Sequence, residues 1–169
     1  MITKATPLRV VLEIAKECEK CGHCCKFSSG ALVDNDIKSI AEFLGIDEKT
    51  LIKDYLEEVE KFNTKRLRPK IIRGKLPYGC CIFYDPKQGC KIHPVKPLEC
   101  KVRNCGPYGE ELSIWFMLNY WVNPNDPESI RQFSIYLKTG GKTIPGGTLE
   151  ELVPNKKRLK KILSYEVLK

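Results

Sequence analysis

The chain has 169 residues, 42% apolar and 30% charged, the make-up of a globular protein with its own core rather than of a disordered one. No stretch approaches the roughly 18 consecutive apolar residues of a membrane span. Arg9 and Glu13 interrupt the apolar start, so a secretory leader is not expected and a cytosolic location is. The formal charge of +8 is a weaker nucleic-acid signal than it looks, because it counts nine cysteines as neutral and each metal-bound cysteine is a thiolate.

In chain order, Leu8–Ile14 reads as a short strand entering the first cysteines. From Asp34 to Gly45, the residues Ile37, Ile40, Ala41 and Leu44 fall at i, i+3, i+4 and i+7. An aspartate is available as N-cap and Gly45 suits the C′ position, which predicts a helix. A second helix is predicted from Asp47, with Leu51, Ile52, Tyr55, Leu56, Val59 and Phe62 on one stripe. The short link at Gly45–Ile46 makes the two a helical hairpin. Residues 65–78 are basic and proline-marked, with Ile71-Ile72 as a short strand. Pro86, Pro94, Pro97 and Pro107 forbid a long helix across 80–107 and leave its cysteines on turns and loops. Leu112–Val122 is a buried helix or strand, between which periodicity does not decide, and its aromatics read as core rather than as a base-stacking platform. Asp126-Pro127-Glu128 starts a helix with proline at N1 that runs to about Lys138. A last helix occupies roughly 155–168. Its run Lys156-Lys157-Arg158-Leu159-Lys160-Lys161 reads as a solvated face opposite Leu159, Ile162, Leu163 and Val167. A solvated face is expected there rather than a phosphate-binding patch, so nucleic acid is not the expected ligand, and contact of this helix with a protein partner is a separate hypothesis. The expected fold is α-rich, α+β at most: a small single domain with a helical hairpin and cysteine-rich metal-binding loops. Residues 1–110 are the expected metal-binding domain and residues 111–169 a helical extension packed on it.

Nine cysteines are an odd number for closed disulfides, and clustered thiols in a reducing compartment argue for metal. They form two groups: Cys18, Cys21, Cys24 and Cys25, then Cys80, Cys81, Cys90, Cys100 and Cys105. A Cys-x-x-Cys step lets one tight turn aim two sulfurs at one ion, and Gly22 suits the left-handed backbone of such a turn. Two overlapping steps offer Cys18, Cys21 and Cys24 to one centre, as in the first three ligands of a ferredoxin run. Adjacent Cys24 and Cys25 do not readily reach one ion from extended backbone, which hints at a second site or a binuclear arrangement. His23 and His93 lie inside the cysteine groups, and either could complete a Cys₃His site. Glu17, Glu19 and Glu99 stand in no acid–base motif and read as surface carboxylates, so no catalytic residue is named. Gly140-Gly-Lys142-Thr143 is not a phosphate loop, because the glycine that motif requires is replaced by Tyr136.

The run Cys18-Glu-Lys-Cys21-Gly-His-Cys24-Cys25, followed by Cys81-Ile-Phe-Tyr-Asp-Pro-Lys-Gln-Gly-Cys90-Lys-Ile-His and Lys96-Pro97-Leu-Glu-Cys100-Lys, resembles the CxxCxxCC cysteine-cluster family. The resemblance spans about residues 18–105 and includes the helical segment Asp36–Gly45. It implies zinc or iron chelation, with Cys18, Cys21, Cys24, Cys25, Cys81, Cys90 and Cys100 as metal ligands. The bound group is then Zn²⁺ or iron, a four-iron four-sulfur cluster included. Lys96 departs from the arginine usual before this proline. One branch of the family contains flagellin lysine N-methylases, which implies as the alternative an iron–sulfur enzyme of redox or lysine-methylation type. The glycine-rich strand-to-helix loop that commonly cradles nucleotide-like cofactors is not present in the sequence.

Overall fold

The computed structural model describes residues 1–15, 18–33 and 35–168. Its secondary structure is 45% helix and 12% strand, a mixed α+β composition. Among the described residues no helix is long and apolar enough to cross a membrane. The chain gathers into two compact units, Lys16–Val59 with Arg66–Asn104, and Met1–Ala15 with Glu60–Lys65 and Cys105–Lys169.

The first of these units carries every cysteine except Cys105. It begins with α2 (His23–Phe27), which follows α1 (Leu8–Ile14) of the other unit. Next comes α3 (Asp36–Leu44), which buries Ile40 and Ala41 as the spacing predicts and ends on Gly45 at φ +67°. Its N-cap position is Asn35, without a side-chain capping bond, and Asp34 lies outside the described residues. Asp47 caps α4 (Glu48–Thr50) by accepting from the Thr50 N–H. A π-helical turn over Leu51–Tyr55 follows, and there the helix stops. The stripe expected to continue through Leu56, Val59 and Phe62 is instead strand β1 (Leu56–Lys61), paired with β2 (Thr64–Pro69). The expected second helix is therefore corrected to one short helical stretch followed by a β-hairpin.

The hairpin turn is Phe62-Asn63, at φ +50° and +55°, the two positive values of a two-residue I′-type connection. Strand β3 (Ile71–Ile72) pairs antiparallel with β4 (Cys80–Cys81), and β5 (Tyr84–Asp85) pairs with β6 (Gly89–Cys90). A 3₁₀ turn (His93–Val95) and α5 (Leu98–Val102) complete the unit. Leu32, Ile40, Ala41, Leu51, Leu56, Phe83 and Ile92 form its core, with Cys81 built into the same cluster.

The other unit is helical. The segment Leu8–Ile14, expected as a strand, is helix α1, which buries Val11. The aromatic segment is α6 (Gly109–Phe116), continued as a π-helical turn over Met117–Trp121. Helix α7 (Pro127–Lys138) starts as predicted, with Asp126 capping the Glu128 N–H and proline at the first position. Two short helices, α8 (Leu149–Leu152) and α9 (Lys156–Leu163), close the chain, the second ending earlier than the expected 168. The core includes Leu112, Phe116, Leu118, Ile130, Phe133 and Ile162, all 1% exposed or less. Arg131 is buried there and reaches the Ile162 and Val167 carbonyls at 3.1 and 2.8 Å, so α7 grips the end of α9.

Candidate metal centre

Five segments of the chain bring the cysteines together. Cys18 and Cys21 flank a turn whose backbone is left-handed at Lys20 (φ +56°) and Gly22 (φ +75°), and the Lys20 N–H points at Cys18 Sγ at 3.4 Å. Gly22 is buried against Tyr84: a Cβ at this position would stand 2.5 Å from the Tyr84 hydroxyl. The turn thereby rests on the strand residue that faces Cys90 across the β5–β6 ladder. Helix α2 carries Cys24 and Cys25. Strand β4 carries Cys80 and Cys81, whose side chains alternate, so that Cys81 packs inward (8% exposed) while Cys80 is only half-buried. Cys90 closes a hairpin in which the Asp85 carboxylate accepts from the Lys87 and Gln88 N–H groups and Gly89 takes φ +79°.

Cys100 sits on α5, and two carboxylates fix that helix. Asp36 Oδ2 accepts from the Val33 and Leu98 N–H groups, both at 2.9 Å, and Glu99 Oε2 accepts from the Ala31 N–H at 2.6 Å. These bonds stitch segment 31–36, just beyond the first cysteine group, to the helix bearing the last ligand of the second. Gly30 lies in the seam, where a Cβ would come within 2.5 Å of Cys100 Sγ. Glu99 is thus a partly buried structural acceptor rather than the surface carboxylate expected, while Glu17 lies outside the described residues. The structural roles of Asp36, Glu99 and Gly30 have no local sequence signature, because their partners across the seam lie more than 60 residues away.

The outcome is one cavity of about 70 Å³ lined by Cys18, Cys24, Cys25, Cys81, Cys90 and Cys100, with His93, Lys96 and Arg103 also on its wall. Six of the seven expected ligands therefore share a single space. Cys21, Cys105 and His23 are exposed and outside that wall, the His23 ring packing instead 5.4 Å from Phe27, and half-buried Cys80 lies outside it too. Among the described residues, no three cysteine, histidine, aspartate or glutamate side chains converge closely enough to hold an ion as they stand. Coordination therefore requires the sulfurs to be drawn inward across the cavity.

Electrostatics tie the same residues together. A hydrogen bond from the Cys25 side chain draws the Cys24 thiol down to about 6, and the same contact pushes Cys25 up. The pair therefore favours a single negative charge held as thiolate and thiol. Burial pushes the Cys81 thiol up to about 11 and raises Cys90 and Cys100 as well, with charge on neighbouring cysteines contributing to each.

The sequence from 17 to 115 matches the CxxCxxCC family, described as a "Putative zinc- or iron-chelating domain". The chain belongs to this family. It is also 34% identical over 114 residues to the uncharacterized protein MJ0661 of Methanocaldococcus jannaschii. That alignment covers 62% of this chain and 56% of the relative, so the chain spans little more than half the relative's length. No solved structure matches the chain. Thiol and imidazole are donor types that zinc and iron both accept, and Gly30 leaves Cys100 Sγ the room it occupies. The residues present fit the group that the family name implies.

Proposed function

We propose that this protein binds zinc or iron through its two cysteine groups, with Cys18, Cys24, Cys25, Cys81, Cys90 and Cys100 as ligands and Cys21 joining them from the exposed side of the first turn. The observation that carries this reading is the lining of one cavity by six of those seven sulfurs, drawn from segments as far apart as Cys18 and Cys100. Bound metal would cross-link the turn at 18–21, α2, the two short hairpins and α5. Cross-links of that span stabilise a fold whose local strands are two residues long, so the metal is structural in the first instance. Thiolate ligation also requires a reducing compartment, which fits a cytosolic setting.

Cysteine-to-serine substitutions test this ligand set. Cys25→Ser and Cys81→Ser, one from each group, are expected to lose metal measured by elemental analysis after anaerobic purification. Cys105→Ser, in the other compact unit, is expected to retain it. Full metal retention in both Cys25→Ser and Cys81→Ser would refute the assignment.

A further inference from the structure

We infer that the cavity holds two metal ions sharing at least one thiolate, a reading that rests on the metal-binding function proposed above. One tetrahedral ion takes four donors. Six thiols line this single cavity, and His93 adds an imidazole to its wall. One ion would leave at least two of those sulfurs without metal in a space built from cysteine. Two tetrahedral ions present eight positions. Six thiolates fill all eight when two of them bridge, and seven, with Cys21, fill them when one bridges.

Helix α2 supplies an independent observation. Cys24 and Cys25 are consecutive on it, and both line the cavity. Their side chains meet in a hydrogen bond, so the two sulfurs stand side by side at the cavity, where each can serve one of two adjacent ions. Both cysteines line the same cavity, which favours a binuclear arrangement over a separate second site. Size agrees. The cavity, about 70 Å³, is several times the ~10–15 Å³ that one water-sized body needs.

The test uses the 169-residue chain reconstituted with Zn²⁺ under reducing conditions and freed of excess metal, studied by native mass spectrometry and zinc-edge X-ray absorption. Two ions per chain, a sulfur-dominated first shell and a metal–metal scattering shell are expected. One ion per chain overturns the inference and leaves metal binding standing. Two ions without a metal–metal shell overturn it too, because separate sites share no thiolate. Four irons with acid-labile sulfide in the anaerobically isolated protein overturn it in favour of a cluster. Failure to bind either zinc or iron overturns this inference together with the function beneath it.

Discussion

At Gly30 a single hydrogen atom separates a working arrangement from a clash. Alanine there would press its methyl group against Cys100 Sγ and the backbone of α5. Overpacking of this kind costs about 1–3 kcal/mol. Gly30→Ala is accordingly expected to lower both the denaturation midpoint and the metal content, whereas Gly45→Ala, with open space around its Cβ, should leave metal content unchanged. The thiols themselves set a pH dependence. Burial holds Cys81 at about 11, above its ordinary 9.0, so without metal the neutral thiol is favoured. That contribution to stability is fully present below pH 9 and is lost as pH rises through about 11. Metal must displace such protons, so affinity rises with pH and falls on acidification. Calorimetry of zinc binding at pH 7.5 in buffers of different ionisation enthalpy should register proton release, and binding without release would contradict thiolate ligation.

At the scale of elements, the two carboxylates on either side of α5 do the joining. Asp36→Ala removes one buried acceptor from two N–H donors, and hydrogen bonds to a charged group are worth about 1.5–3 kcal/mol each. A loss of about 3 kcal/mol in chemical denaturation is expected, together with weaker metal binding, because the helix that carries Cys100 loses its anchor to α3. A separate cluster, Glu57 with Arg68 and Arg73 at 3.0 Å, ties β1, β2 and the segment after β3. Hydrogen bonds from Arg73, then the Arg68 charge, hold the Glu57 carboxyl below the usual carboxylate range. Its stabilisation is present above the unfolded value of 4.5 and is lost as pH falls through the lower folded one. Glu57→Gln should cost about 1 kcal/mol at neutral pH and flatten that acid limb in pH-dependent unfolding.

Elements with strong local signals were legible and those made by pairing were not. Helix α3 showed its apolar spacing and its terminal glycine, and α7 its aspartate and proline. Strand β1, Leu-Glu-Glu-Val-Glu-Lys, is made largely of helix formers, and Leu56, Val59 and Phe62 match a helical stripe as well as a strand. Pairing with β2 through the Phe62-Asn63 turn overrode that preference, and no glycine marked the turn. The cysteine spacing disclosed the donors of the cavity wall, but Asp36 and Gly30, which join segments more than 60 residues apart, have no local pattern to betray them.

For the molecule as a whole, the division into two compact units gives metal removal a regional signature. The cysteine-bearing unit depends on short ladders and long-range stitches, whereas the other buries Leu112, Phe116, Ile130, Phe133 and Ile162 in a helical core of its own. Chelation should therefore raise amide hydrogen exchange mainly within residues 18–59 and 66–104, with Leu112–Trp121 and Ile130–Tyr136 keeping their protection. Uniform loss across both units would show that the metal acts on global stability alone.

Metal content of the protein isolated under strict anaerobiosis, by elemental analysis with a visible spectrum taken on the same sample, tests the metal centre most directly. Zinc or iron in whole-number ratio to the chain is expected, colourless for zinc and brown for an iron–sulfur cluster. Chain free of both metals, and unable to take up either on reconstitution with its thiols reduced, would contradict it.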